Sequence, residues 1–275
     1  MAQRLITFTT DFGLNDHYVG TMKGVILSIN PAALMVDICN AVQSFDVLDG
    51  ALTIVQSYNY FPSETVHLVV VDPGVGTTRR PLLVTTDRHM FVAPDNGVLS
   101  FVYDREERIS VRHITAEHYF LQPVSSTFHG RDIFAAIAAW LSKGVEAAKF
   151  GDEITDYARF AAPRPKAISD KLMKGIVLKV DKFGNLITNI TPADLPQLFV
   201  PDPPPFKVLV AKSEISKMVN TYADGTPSEV FVVLNSMWLL EIASHRGSAA
   251  TIVGAGKGSD VGVLFETAQV GDVAT

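Results

Sequence analysis

The stretch that most constrains the fold runs from Val66 to Pro81, VHLVVVDPGVGTTRRP. Its first six residues, Val66 to Val71, are apolar and β-branched almost without interruption, which predicts a parallel strand buried on both faces. The strand stops at Asp72-Pro73-Gly74, because proline fixes φ and glycine admits positive φ, and Gly76, Thr77 and Thr78 keep the following loop small. A carboxylate is thereby set at the carboxyl end of a core strand, where open α/β sheets hold their ligands. Arg79 follows seven residues later. A loop that turns back would bring its guanidinium beside Asp72, holding the carboxylate ionised and oriented. The alternative is an aspartate that caps its own turn and an arginine on the surface.

The same grammar opens the chain. Leu5 to Thr10 reads as a strand that ends in Asp11-Phe12-Gly13, and apolar residues recur at helical spacing from Asp16 to Ile29, with Asn15 or Asp16 available as cap. Ala33 to Ile38 is a second strand and Val47 to Tyr58 a second helix, so the segment up to Val71 is a βαβαβ unit, which implies a mainly parallel sheet flanked by helices. No GxGxxG fingerprint accompanies it, which argues against a conventional dinucleotide site. Leu82 to Thr86 and Met90 to Ala93 read as a hairpin turning at Asp87-Arg88-His89. A further turn at Pro94 to Gly97 leads into Val98 to Val102, and Ile109 to Ile114 is another strand. A helix opens at Ser126 to Asp132 and runs to Gly144.

Phe160 to Leu172, FAAPRPKAISDKL, carries two prolines and no periodicity, and is read as a linker over 160–172. It divides an α/β domain, 1–165, from a smaller all-β, barrel-like domain, 171–275. The second domain has short apolar runs at 175–182, 207–211, 229–234, 239–243 and 262–265, separated by Gly, Pro, Asn and Asp.

The 275 residues are 47% hydrophobic and 19% charged, the balance of a globular protein with real cores. The net charge of −6 is spread rather than clustered, so no nucleic-acid partner is expected. The single cysteine, Cys39, excludes an internal disulfide and a cysteine-rich metal site. No apolar run approaches the roughly 18 residues of a membrane span, and the opening MAQRLITFTTDFG has no long apolar core of a signal peptide. A cytoplasmic enzyme is expected.

His129 stands at a predicted helix start within a Gly-flanked loop. The helix dipole there favours a neutral imidazole, able to accept a proton or orient a water; a capping histidine is the alternative. His113 and His118 fit no zinc spacing and read as solvated surface residues. Gly254 to Ser259, GAGKGS, has the wrong spacing for a phosphate loop and reads as a barrel turn. Asp181, Phe183 and Asn185 place a carboxylate, an aromatic face and an amide where a strand ends, which suits a purine plus an ammonium group or else a plain hairpin. Asn235-Ser236 and Tyr222 are of the same kind.

Taken together, TTDFGLND (Thr9–Asp16), YVGTMK (Tyr18–Lys23), DPGVGT (Asp72–Thr77), APDNG (Ala93–Gly97), FHGRD (Phe128–Asp132), DKFGNLITN (Asp181–Asn189) and Asn235-Ser236 resemble the S-adenosyl-L-methionine (SAM) hydroxide adenosyltransferases, or SAM hydrolases, which are related to the fluorinases and chlorinases. The resemblance spans nearly the whole chain. It implies an N-terminal α/β domain, a C-terminal β-barrel, and a homotrimer whose sites lie between one subunit's N-domain and its neighbour's C-domain. It implies attack of water or hydroxide on the ribose 5′ carbon of SAM, giving adenosine and L-methionine, with SAM as substrate and no cofactor or metal. Asp72, Arg79 and His129 match the family's water-activating residues, with the adjacent Arg80 the alternative to Arg79, and Asp11 matches the carboxylate that grips the ribose hydroxyls. Asp181, Asn185 and Ser236 match positions around methionine and adenine, while Phe45, Phe183 and Tyr222 match apolar or aromatic wall positions.

The halogenating relatives carry a tyrosine where this chain has Asp72 and a hydroxyl-bearing residue where it has Gly130, so no halide site is expected. The adenine-binding stretch at Ser244 to Gly247 does not align without a gap, and no roles are carried over there. A halogenase of the same fold and a non-catalytic adenosine- or SAM-binding protein are the alternatives, with a metallohydrolase built on Asp11, Asp16, His17 and Asp72 behind them.

Overall fold

The structure, a computed structural model, describes residues 4–265. The chain divides into two compact units, Met1–Ala161 and Ala162–Thr275.

In the first unit β1 (Leu5–Thr10), β2 (Leu34–Cys39) and β3 (Val66–Val70) run parallel, joined by α1 (Tyr18–Ile29) and α2 (Val47–Ser57). β4 (Pro81–Thr86), β5 (Met90–Pro94) and β6 (Ile109–His113) complete a sheet of order β2-β1-β3-β5-β4-β6, in which β5 is parallel to β3 and the last two pairings are antiparallel. β3 is buried along its whole length, as its unbroken apolar run predicts. Val66, Leu68 and Val70 face a core with α1 and α4 (Ala136–Ser142). Val69 and Val71 face the opposite core with α2 and α3 (Ser100–Arg105). Each such buried side chain contributes about 1.5–3 kcal/mol, and the two-sided burial pins β3 at the centre of the unit. The pairing of Thr10 with Val70 brings the carboxyl ends of β1 and β3 level.

Some local expectations change. The segment from Val98 becomes α3, and α1 begins at Tyr18 with His17 in the cap position and no side-chain cap hydrogen bond, so neither Asn15 nor Asp16 caps it. The His17 ring instead packs on Tyr18 at 4.6 Å between centroids. His113 is half-buried on β6, its proton affinity lowered by burial and then by Arg80, so only His118 is the exposed residue expected. The 160–172 stretch already contains β7 (Lys166–Ser169), which pairs with β8 (Leu172–Val180).

The second unit is an antiparallel, nearly closed, barrel-like sheet. β9 (Leu186–Thr188), β10 (Phe206–Val210), β11 (Ser213–Ile215), β12 (Val230–Leu234), β13 (Leu240–Ser244) and β14 (Asp260–Phe265) join β8 in the order β11-β10-β14-β8-β9-β13-β12. β8 pairs with β14 along its first half and with β9 along its second, and its register with β9 shifts between Val177 and Lys179. That irregularity lets one strand turn the corner between the two halves of the sheet. The chain after β11 bridges from Met218 to Val232 and brings the two edges together. Val177, Leu186, Val208, Val232, Ile242, Val261 and Val263 fill the interior. A helix absent from the sequence reading, α5 (Ala249–Val253), is capped by Ser248 and ends at Gly254, so GAGKGS is the turn that leads from α5 into β14.

The first unit buries two histidines. His67 on β3 is fully buried, shares a hydrogen bond of 2.7 Å with Thr7 and stacks on Phe91, and its Nε2 faces Nδ1 of His89 at 3.4 Å. His89, placed by sequence in a surface turn, is turned inward and only 1% exposed. Burial, followed by the charge of a protonated His89, lowers the pKa of His67 to about 3. The folded state therefore excludes a proton that the unfolded chain binds at about pH 6.5. This contribution is complete above that pH and is lost as pH falls toward about 3, at up to about 1.4 kcal/mol per pH unit for His67. Urea unfolding of wild type and His67→Gln across this window is expected to give a steeper acid loss in wild type; parallel profiles would contradict the account.

Candidate active site

In the order β2-β1-β3 the chain leaves β1 to one side and returns on the other, so the carboxyl ends of β1 and β3 flank a topological switch point, the place where such sheets hold ligands. Asp11 follows β1 and Asp72 follows β3. Asp11 Oδ2 accepts the backbone N–H of Phe45 at 2.8 Å. Burial raises the Asp11 pKa, with a further push from the charge of Asp72. Phe45 itself is 74% exposed and sits at φ +66, a strained backbone for a bulky residue.

The loop after Asp72 does turn back. Its first turn closes through Val75 N–H to Asp72 O, and the Thr77 hydroxyl donates to Gly74 O at 2.6 Å. Gly76 has φ +76, and the carbonyl of Ser126 occupies the space where its Cβ would be, so the loop lies directly on the segment that carries His129. Arg79 Nε then donates to both oxygens of Asp72 at 3.0 and 2.9 Å, and Nη2 to Oδ2 at 2.5 Å. The side chains of this pair are only 8% and 4% exposed. The guanidinium carbon also lies 5.1 Å from the centroid of Phe134. Arg80 points elsewhere, to Asp95 and Asp156 at 2.8 Å each, so Arg79 is the arginine at the strand end. Asp72 is engaged by Arg79 rather than by its own turn.

The second hydrogen-bond direction of Arg79 Nη2 reaches Nδ1 of His129 at 2.7 Å. A guanidinium only donates, so Nδ1 accepts and the imidazole is neutral with its proton on Nε2. Burial lowers the His129 pKa, and Arg79 lowers it further. The neutral form expected from sequence is thus present in geometry, for a different reason from the helix dipole. His129 makes no side-chain cap hydrogen bond to the π-turn that follows it, Gly130–Ala135, which removes the capping alternative. Its remaining nitrogen is a donor, which suits it to orient an oxygen rather than to take a proton.

Neighbouring residues hold this group in place. Gly130 packs so closely on Phe12 and Met22 that an added Cβ would lie 3.2 Å from the Phe12 ring and 3.3 Å from the Met22 sulfur. Asp132, fully buried, accepts from Ser125 N–H at 2.8 Å and from Arg131 Nε at 2.5 Å. Asn96 donates to the carbonyl of Val71 at 2.8 Å, fixing the residue before Asp72. These supporting side chains were not singled out from sequence, although Asp132 and Asn96 sit inside FHGRD and APDNG. Asn96 reaches a carbonyl that only the folded chain brings near, whereas Asp132 is held by the adjacent Arg131 and by the backbone of Ser125 on its own loop.

The second unit carries a cleft of about 660 Å³. Asp181, Phe183, Asn185 and Tyr222 line it, as does the 244–248 stretch, where Ser244, Arg246, Gly247 and Ser248 complete the wall. Asp181 Oδ1 accepts the N–H groups of Phe183 and Asn185 at 2.9 and 2.8 Å, and Oδ2 accepts the Asn185 amide at 3.0 Å. That closes the turn and leaves Phe183 74% exposed. Ser236 is exposed on the β12–β13 turn and is not among the lining residues, whereas Asn235 beside it is buried. Asp16 and His17 are both exposed, and among the described residues no three His, Cys, Asp or Glu side chains gather as a metal would require. No helix among the described residues is long and apolar enough to cross a membrane.

Comparison with known proteins shows the family. Residues 6–151 match the SAM hydroxide adenosyltransferase N-terminal domain, and residues 175–262 its C-terminal domain. An (R)-S-adenosyl-L-methionine hydrolase of Salinispora tropica is 34% identical over 252 residues, covering 90% of this chain and 93% of that protein. A fluorinase of Actinoplanes sp. is 26% identical, over 90% of this chain and 92% of its own length. An uncharacterized conserved protein from Thermotoga maritima, known from a crystal structure, superposes with a TM-score of 0.87 at 36% identity, covering 94% of this chain and 99% of that one. With both family domains matched in order around these two groups of residues, the chain belongs to the SAM hydroxide adenosyltransferase family.

Proposed function

We propose that this protein hydrolyses SAM to adenosine and L-methionine by in-line attack of water or hydroxide on ribose C5′. The observation that carries the reading is the Asp72–Arg79–His129 array at the carboxyl end of the central strand. As a SAM sulfonium departs, the C5′–S bond breaks and sulfur becomes a neutral thioether, so the leaving group needs neither a proton nor a Lewis acid. What remains is to aim a weak nucleophile and to take its proton. His129 donates from Nε2 to the attacking oxygen. Asp72 keeps lone pairs beyond those used by Arg79 and accepts a hydrogen of the same water. Arg79 holds both side chains in register. Asp11 takes the ribose hydroxyls, with Phe45 beside it. Asp181, Phe183, Asn185 and Tyr222, which line the second unit's cleft, serve the nucleoside and the methionine.

The identity of residue 72 favours hydrolysis over halogenation, since a carboxylate repels a halide where the halogenating relatives carry a tyrosine. The tight packing of Gly130 on Phe12 and Met22 also leaves little room there for a hydroxyl-bearing side chain. The family resemblance further implies a homotrimer in which a neighbouring subunit's second domain completes each site.

Purified protein incubated with SAM and chloride is expected to release adenosine, followed by chromatography, and no chlorinated nucleoside. Asp72→Asn is expected to slow adenosine release by roughly 10²–10⁴-fold, the range for a lost general base, with folding checked by circular dichroism. A D72N variant as fast as wild type would remove Asp72 from the mechanism. The acid limb of kcat/KM should lie below pH 6.5, because the lowered His129 pKa preserves its neutral form into mild acid; a limb above 6.5 would contradict the role of His129. Light scattering should give three times the subunit mass.

A further inference from the structure

Glu241 on β13 is 3% exposed and stands against the wall of the second unit's cleft. Its Oε1 accepts the hydroxyl of Tyr222, a lining residue, at 2.8 Å, and its Oε2 accepts the Asn235 amide at 3.1 Å. The orientation of that amide is fixed. Its oxygen already accepts the N–H groups of Met237 and Leu239 at 2.9 and 3.1 Å, so its NH₂ faces Glu241. Both oxygens of Glu241 are therefore acceptors from neutral donors, which is the arrangement of an ionised carboxylate. Burial raises the Glu241 pKa, the hydrogen bonds from Tyr222 and Asn235 pull it back down, and the nearby carboxylate of Asp181 pushes it up again.

Burying a carboxylate costs several kcal/mol, and two hydrogen bonds from neutral groups offset only part of that. Ala243, two residues on and on the same face of the strand, packs among Val219, Phe231 and Val233, so that face accepts apolar side chains. A negative charge retained there, with another carboxylate nearby, favours a cation in the cleft. Ser244, three residues along the same strand and 6% exposed, lines the same cleft with a hydroxyl that has no hydrogen-bond partner among the described residues. Asp181 Oδ2 retains a lone pair beyond its contact with Asn185, which suits an N–H donor such as an ammonium rather than a sulfonium, which has no hydrogen to give.

We propose that Glu241, acting through Tyr222, is a positioning and specificity residue that makes this cleft prefer ligands bearing a protonated amine over the neutral nucleoside alone. This deepens the functional reading above and rests on it. A Glu241 anion on the phenol hydroxyl fixes the Tyr222 ring at the cleft wall, and the ring face and the field behind it both attract the amine.

The test is calorimetry on the full chain with S-adenosyl-L-homocysteine, which carries the amine and does not react as a sulfonium, and with adenosine, which lacks the amine. Glu241→Gln keeps an acceptor for Tyr222 and removes the charge. It is expected to weaken S-adenosyl-L-homocysteine roughly three- to tenfold while adenosine binding stays within about twofold. Equal losses for both ligands would mean that Glu241 only supports the fold, and no loss for either would remove it from recognition; each result overturns the proposal. If Glu241→Gln unfolds the domain, Tyr222→Phe cuts the same link and must shift the ratio in the same direction, an unchanged ratio overturning the proposal. Wild type that binds neither ligand would overturn the SAM reading itself, and the proposal with it, whereas wild-type binding with an unaltered ratio in the variants overturns only the role of Glu241.

Discussion

The buried ion pair between Asp72 and Arg79 is the constraint on which the first unit's site depends. Both side chains are more than nine-tenths buried, and a carboxylate and a guanidinium placed there are tolerable only together. Removing one partner from such a pair costs about 3–5 kcal/mol, because the other is left charged and unpaired. The pair therefore holds the loop that connects them, and the loop holds the site. Gly76 lets that loop press on the Ser126 carbonyl, Phe134 supplies a face for the guanidinium, and the spare donor of Arg79 sets the tautomer of His129. One guanidinium thus orients one catalytic candidate and sets the proton position of the other.

The second unit solves a different electrostatic problem. Its cleft is walled by the rings of Phe183 and Tyr222 and by the carboxylate of Asp181, which accepts from backbone and amide donors of its own turn. Glu241, Tyr222 and Asn235 form a chain of hydrogen bonds between neutral donors and one buried anion. The first unit pairs its buried carboxylate with a resident cation. In the second, Asp181 and Glu241 accept from neutral donors, which offset only part of the cost of holding a charge there.

Much of the first unit was legible because its signals are local. Two-sided burial writes itself as the unbroken run Val66 to Val71, and a carboxylate followed by Pro-Gly or Phe-Gly marks the strand ends that became Asp72 and Asp11. Elements whose cause is tertiary were not legible. β7 forms because β8 offers an edge to pair with, not because its four exposed residues favour extension. Residues 249–253 form a helix too short to show a period, held by its Ser248 cap and Gly254. His89 looked like a turn residue and is buried, because His67 and Phe91 on neighbouring elements present a pocket for its ring.

For the site, sequence alone determined which side chains are available and that Asp11 and Asp72 each end a strand, since strand–helix–strand periodicity and turn chemistry are properties of contiguous residues; the pairing of those strands came from the fold. Only the tertiary structure decided between Arg79 and Arg80, made Nδ1 of His129 an acceptor, brought 244–248 to the cleft and set Glu241 behind Tyr222. Those outcomes depend on distances between groups far apart in the chain. A hydrogen bond or a buried charge gains its direction and its energy from such distances, and the order of residues does not record them.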